Sequence, residues 1–242
     1  KLKKHKTKFI PIDSEHFSIW SLLKGTNKNN IEKIFITASG GPFLNFSKSK
    51  LKKVTPKSAV KHPNWSMGRK ISVDSASLMN KVFELIEAKK IFNINLNKFE
   101  ILIHPKSYVH AIVKFKNGLT KLLIHDTNMR IPIINSIYDK KDFNSKSDKL
   151  NLNYLNDLNF SKVNIKKFSS IKILKFIPNR NTLYETVIVS ANDELVNLFL
   201  DKKIKFVDIV YKLSLFIKRK EFIKYRYEYP KNLDQIKNLN RY

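Results

Sequence analysis

Val109-His110-Ala111-Ile112-Val113-Lys114-Phe115-Lys116-Asn117-Gly118-Leu119-Thr120-Lys121-Leu122-Leu123-Ile124 is the stretch that decides the fold. Val109–Phe115 and Leu119–Ile124 run apolar or alternate, and Asn117-Gly118 between them is a strong hairpin signal. Outward from this hairpin, Phe99–Ile103 and the β-branched run Ile31–Thr37 read as further strands. The second runs into Ser39-Gly40-Gly41-Pro42-Phe43, a turn that cannot continue a sheet. Further upstream, Phe9-Ile10-Pro11-Ile12 reads as a short strand delivering Asp13-Ser14-Glu15-His16 at its end, with 17–24 continuing as a helix. Ser75 to Ile91 fits one helix, with Leu78, Val82, Leu85 and Ile86 at helical spacing. Residues 56–70, with Pro56, Pro63 and Gly68, read as irregular and carry Trp65 and Met67.

Beyond the hairpin the composition shifts. Asp139 to about Asn159 is rich in Lys, Asn, Asp and Ser and reads as a surface linker. Tyr184–Leu200 and Phe206–Lys218 have helical patterns, and no strand is convincing after the linker. The expected architecture is an α/β (α+β) domain over 1–140 with a mostly β-sheet core and flanking helices. A linker over 141–160 and a small all-α domain over 161–242 follow.

The chain has 242 residues, with 47 Lys+Arg against 20 Asp+Glu, a net charge of +27. Only Arg69, Arg130, Arg180, Arg219, Arg226 and Arg241 are arginines, and the lysines are scattered. Lys, Asn and Ile share A/T-rich codons, so a lysine-coated surface with salt-sensitive, non-specific polyanion binding is expected, and no specific nucleic acid. The absence of Cys excludes a disulfide scaffold, a thiolate zinc or iron–sulfur site and a cysteine nucleophile. No apolar run approaches the ~20 residues of a membrane helix, and Lys1-Leu2-Lys3-Lys4-His5-Lys6 has no signal-peptide layout. The expectation is a soluble cytoplasmic protein without a membrane partner.

Four constellations have chemical content, each beside a plain alternative. Asp13 and Glu15 would share a face of an extended chain and suit Mg²⁺ or Mn²⁺, or they are simply solvated acids. Asn80, Lys81 and Glu84 share a helix face and could converge on one site, or form an ordinary surface pair. Ser39-Gly40-Gly41 offers open backbone N–H groups to an oxyanion, or is only a turn; no G-x-G-x-x-G occurs anywhere. Trp65 and Met67 are a lid or core packing. His62, His104, His110 and His125 lack zinc-motif spacing and read as structural.

These segments, in this order, resemble one family. Pro11-Ile12-Asp13-Ser14-Glu15-His16, the Ser39–Phe43 turn, His62-Pro63-Asn64-Trp65-Ser66-Met67-Gly68-Arg69-Lys70-Ile71-Ser72-Val73-Asp74-Ser75-Ala76, Met79-Asn80-Lys81 with Glu84, and Ile103-His104-Pro105 with Ser107 and His110 are similar to 1-deoxy-D-xylulose 5-phosphate reductoisomerases. The likeness is strongest over about 9–137 and fainter through Ser190–Glu194 and Phe206–Ile209. It implies that Asp13, Glu15 and Glu84 ligate Mg²⁺ or Mn²⁺. Ser14, Ser39, His62, Ser75, Asn80 and Lys81 would hold a phosphorylated sugar, with Lys81 and the three acids nearest the chemistry. Trp65 and Met67 would belong to a closing loop and Gly68 would touch the cofactor, while Ser107, His110 and Met129 lie near the site. The implied reaction is conversion of 1-deoxy-D-xylulose 5-phosphate to 2-C-methyl-D-erythritol 4-phosphate with NADPH, by a homodimer in the non-mevalonate isoprenoid pathway.

The departures are a missing Gly-rich NADPH loop and Asn-Lys-Glu motif, with Phe17 and Thr127 at positions usually polar and proline. Lys1–Lys8 looks like the tail of a preceding helix, so the chain is expected to be N-terminally truncated and inactive alone. Two competing expectations are a non-catalytic remnant acting as a dimerisation module, and a basic nucleic-acid binder.

Overall fold

Phe115 N–H donates to Leu119 O at 2.8 Å and Gly118 N–H to Phe115 O at 3.1 Å, closing the expected hairpin over a three-residue loop. Gly118 takes φ +86°, the left-handed position such a loop requires. A computed structural model of the chain describes residues 5, 7–63, 65, 67–138 and 152–240. In chain order its strands are β1 (Ile31–Ala38), β2 (Phe99–Ile103), β3 (Val109–Phe115), β4 (Thr120–Ile124) and β5 (Ser161–Lys162). Its helices are α1 (Ser14–Leu22), α2 (Lys48–Leu51), α3 (Pro56–Ala59), α4 (Arg69–Ser77), α5 (Met79–Phe92), α6 (Arg130–Ile137), α7 (Leu152–Asn156), α8 (Tyr184–Leu200), α9 (Phe206–Phe216), α10 (Lys220–Ile223) and α11 (Leu233–Leu239). No helix among the described residues is long and apolar enough to cross a membrane.

The described chain divides into two units, each built from two separated stretches: residues 1–39 with 97–162, and 40–96 with 163–242. The first unit holds a mixed sheet in the order β4-β3-β1-β2-β5. β1 and β2 are parallel and every other pairing is antiparallel. A parallel pair needs a crossover, and the segment between β1 and β2 carries α2 to α5. Alternation sets the faces: Ile34 and Ile36 on β1, Ile101 and Ile103 on β2 and Ala111 and Val113 on β3 are buried. Phe35, Leu102 and Leu122, on the other face, remain at least partly exposed. α1 packs on β3 and β4.

The second unit is helical. Val73 and Ala76 of α4 join Val196, Phe199, Phe206 and Ile209 of α8 and α9 in one apolar cluster. Met79, Val82 and Ile86 of α5 join Ile173, Tyr184, Ile188, Leu213 and Ile217 in another.

Several sequence expectations need correction. Residues 9–12 form no strand; Phe9 and Ile12 are exposed, and the chain turns at once into α1. The single helix expected over 75–91 is two, α4 and α5, broken at Leu78, whose φ of 59° is left-handed. No Gly or Pro marks that break; burial of Leu78 at 1% exposure decides it. The segment 56–70 contains α3, capped by Thr55, and the start of α4. The 206–218 helix stops at Phe216. The expected linker includes α7, and a two-residue strand, β5, follows it; residues 139–151 and most of the Lys1–Lys8 tail lie outside the described residues.

Candidate functional site

Asp13 is the N-cap of α1: its Oδ1 accepts from Glu15 N–H and His16 N–H, both at 3.2 Å. The extended arrangement expected for Asp13 and Glu15 is therefore wrong. Capping satisfies donors that a helix start leaves orphaned, so Asp13 ends the extended chain and Glu15 falls in the first helical turn. Both acids lie where the helix dipole favours negative charge. Asp13 Oδ1 also lies 3.2 Å from His16 Nδ1, and His16 is 2% exposed. Glu15 is buried and accepts from the Ser14 hydroxyl.

The same unit stacks His110 on His125, rings 4.0 Å apart and 15° from parallel. His125 Nδ1 lies 2.7 Å from Asp126 O, which can only accept, so Nδ1 carries the proton. Burial pushes His125 below the usual histidine range, against the opposing charges of Glu15 and Asp126. His104, fully buried, donates from Nδ1 to Asn159 O at 3.0 Å, and its ring lies 4.8 Å from that of Phe160 at a tilt of 31°. Ser39 sits half-buried just past the end of β1, and Met129 is exposed at the start of α6.

In the second unit the first turns of α5 bring Asn80, Lys81 and Glu84 together. Lys81 Nζ lies 2.7 and 2.9 Å from the two Glu84 oxygens, and Asn80 Nδ2 donates to Glu84 Oε1. Lys81 is 8% exposed and Glu84 4%, so the pair is buried, which excludes the reading of a surface pair. His62 lies in the field of Lys81; burial first, then that charge, lower it to about 4. It is neutral at pH 7, and its Nδ1 accepts from Trp65 N–H at 3.0 Å, leaving the proton on Nε2.

Trp65 and Met67 are half-buried, and exposed Gly68 is the N-cap of α4, with no side chain to cap it. Gly41 has φ +66°, and a Cβ there would sit 3.0 Å from Ala76 Cα and 3.1 Å from Ser75 O. Gly41 thus lets the loop close onto α4, a packing role the oxyanion reading did not anticipate. Ser75 is half-buried. Sequence reasoning assigned no role to Lys70, Asp74 and Asn192, which form a polar network beside Ser75, with Asp74 and Asn192 buried and Lys70 half-exposed. The available signal was an acid between Val73 and Ala76, on the core side of α4.

Comparison with known proteins follows the same segments. The 1-deoxy-D-xylulose 5-phosphate reductoisomerase C-terminal domain matches residues 9–92, and the DXP reductoisomerase C-terminal domain matches residues 125–242. A 1-deoxy-D-xylulose 5-phosphate reductoisomerase of Pelagibacter ubique (strain HTCC1062) is 60% identical over 241 residues, all of this chain and 62% of that protein. That of Aquifex aeolicus (strain VF5) is 38% identical over 86% of this chain and 55% of the relative. A crystal structure of DOX-P reductoisomerase with NADPH, fosmidomycin and magnesium has TM-score 0.89 and 30% identity, covering 99% of this chain and 62% of the other. The Zymomonas mobilis enzyme with NADPH has TM-score 0.85 and 34% identity, covering 99% of this chain and 61% of that one. Spanning less than two thirds of the length of these relatives, but matched across both of its halves, the chain belongs to the 1-deoxy-D-xylulose 5-phosphate reductoisomerase family.

Proposed function

We propose that this chain carries the metal- and substrate-binding part of an enzyme that converts 1-deoxy-D-xylulose 5-phosphate to 2-C-methyl-D-erythritol 4-phosphate with NADPH, in the non-mevalonate isoprenoid pathway. The observation that carries the reading is the buried Asn80–Lys81–Glu84 group facing a neutral histidine. Taking charges out of water is costly, so a buried group of this kind calls for a reason, and a charged ligand supplies one.

Asp13, Glu15 and Glu84 would hold Mg²⁺ or Mn²⁺. All three offer carboxylate oxygens, the donors a hard cation prefers, and the chain has no thiolate to recruit a softer one. Solved relatives contain magnesium and NADPH. When bound, the cation supplies Lewis-acid polarisation and orientation of the substrate's oxygens.

The protein's own groups do the rest. Lys81 brings positive charge to the phosphate, and Asn80, Ser14, Ser39 and Ser75 bring neutral donors. Neutral His62 donates through Nε2–H without adding charge. Anchoring the phosphate, which does not react, lets binding energy orient the carbon chain that does. Trp65 and Met67 close over the site and exclude water, and Gly68 leaves room for the nicotinamide end of NADPH. The reading gives these 242 residues metal and substrate binding, and leaves cofactor contact to Gly68 and the loop. It places the protein in the cytoplasm as a homodimer. Exposed Leu122 and half-buried Phe35 and Leu102, on one sheet face, support self-association.

The test is Mn²⁺ titration of the 242-residue chain by calorimetry. One site is expected, weakened at least about tenfold by Glu84→Gln and by Asp13→Asn. An affinity indifferent to both substitutions overturns the assignment.

A further inference from the structure

A carboxylate in the interior is costly unless its oxygens are satisfied, so a buried Asp that no active-site role explains calls for a reason. Asp74, in α4, is 1% exposed. Its Oδ1 accepts from Asn192 Nδ2 of α8 at 2.8 Å, and its Oδ2 lies 2.9 Å from Lys70 Nζ, one turn earlier in α4. Lys70 Nζ also reaches Asp193 Oδ1 of α8 at 2.7 Å. Burial raises the Asp74 pKa, with Lys70 and Asn192 pulling it back. Burial works to lower that of Lys70, but Asp74 and Asp193 carry it above the ordinary lysine range. Two residues of α4 thus grip two consecutive residues of α8.

Among the described residues, α4 contributes Val73 and Ala76 to the apolar cluster shared with α8 and α9. Its connection to α5 does not fix its direction. Leu78 sits between them at φ 59°, a conformation non-glycine residues adopt only when the surroundings enforce it. Met79 N–H leans on the Ser77 hydroxyl at 3.4 Å, and Ser77 O accepts from Ser170 Oγ at 2.7 Å. α4 and α5 are therefore two helices that meet at a left-handed residue. Ser75 is on the first helix and Asn80 and Lys81 on the second, so something other than helix continuity must set their mutual placement. The residue next to Ser75 is Asp74, about 100° around the helix from it.

We propose that Asp74 is a positioning residue for the phosphate-binding group: through Asn192 and Lys70 it clamps α4 to α8 so that the Ser75 hydroxyl faces the same ligand as Asn80 and Lys81. The proposal rests on the substrate reading above. The Lys70–Asp193 link serves as the second jaw, at the end of α4 where the Trp65–Met67 loop enters.

The experiment measures inorganic phosphate binding to the 242-residue chain by ³¹P NMR, with thermal unfolding recorded alongside, for wild type, Lys81→Met, Asp74→Asn, Asn192→Asp and the swapped double variant Asp74→Asn/Asn192→Asp. Asp74→Asn is expected to weaken phosphate at least tenfold while remaining folded at the assay temperature. The swap, which restores one carboxylate and one amide across the α4–α8 contact, is expected to recover most of that affinity. Should Asp74→Asn fail to fold, Asn192→Asp and the swap carry the comparison, with affinity low in the first and recovered in the second. Wild-type binding with Asp74→Asn undiminished overturns the proposal and leaves the substrate reading intact. A swap that restores unfolding temperature but not affinity overturns it as well, because the role is then structural only. A wild-type chain that binds no phosphate, or binds it equally after Lys81→Met, defeats the substrate reading and the proposal together.

Discussion

The two ends of α5 each bury a lysine and use it differently. At the far end, Lys89 donates to Pro178 O at 2.6 Å, to Arg180 O at 3.1 Å and to Glu185 Oε1 at 3.2 Å. Glu185 in turn accepts from the backbone and hydroxyl of Thr182, so this lysine ties α5 to the segment entering α8. At the near end, Lys81 pairs with Glu84 on its own helix. Burial pushes Lys89 below its usual range, and Glu185 holds it charged against that pressure. The difference teaches how to read a buried ion pair. The Lys89 contacts join distant stretches and so serve the fold, whereas the Lys81–Glu84 pair is placed to meet a ligand under the proposed function.

Three measurements break or sharpen this contrast. Glu185→Ala should cost about 3–5 kcal/mol in chemical denaturation, because it strands the buried Lys89 charge. A loss below about 1 kcal/mol would remove the distinction between the two ends. Replacing both members of the local pair, Lys81→Met with Glu84→Gln, should cost less stability than Glu185→Ala, since the two opposite charges are removed together. The same double variant should lose phosphate and Mn²⁺ binding, which Glu185→Ala should preserve. The smallest effect is in pH. His62 titrates at about 4 when folded and near 6.5 when unfolded. The unfolded chain therefore takes up a proton first as pH falls, and stability should decline from about pH 6.5 down to about pH 4. Burial lowers His104 and His125 in the same direction. Denaturation midpoints across that range, with His62→Gln showing a shallower decline than wild type, check the assignment.

Much of the fold was legible because its signals are local. Asn117-Gly118 marked the hairpin, and Tyr184–Leu200 was placed to the residue by its periodicity. Phe99–Ile103 was likewise a strand. What escaped was decided by competition between local and distant groups. Asp13 chose capping over an extended chain because two backbone N–H groups needed an acceptor. Leu78 broke a continuous apolar periodicity because burying its side chain outweighs left-handed strain. Of the candidate site, the polar face of α5 was visible from spacing alone, but its burial was not. The grip of Asp74 on Asn192, 118 positions away, has no signature in a single sequence.

By itself the sequence determined the hairpin, the Ile31 and Phe99 strands, the Tyr184–Leu200 helix, the exclusion of cysteine chemistry and the residue types able to meet a phosphate and a hard cation. Those properties follow from backbone propensity and side-chain chemistry, which act over a few residues. Only the tertiary structure decided which charges leave water. It buried Lys81 with Glu84, lowered His62 and set Asp74 against α8, because desolvation depends on everything packed around a group, much of it distant in the chain.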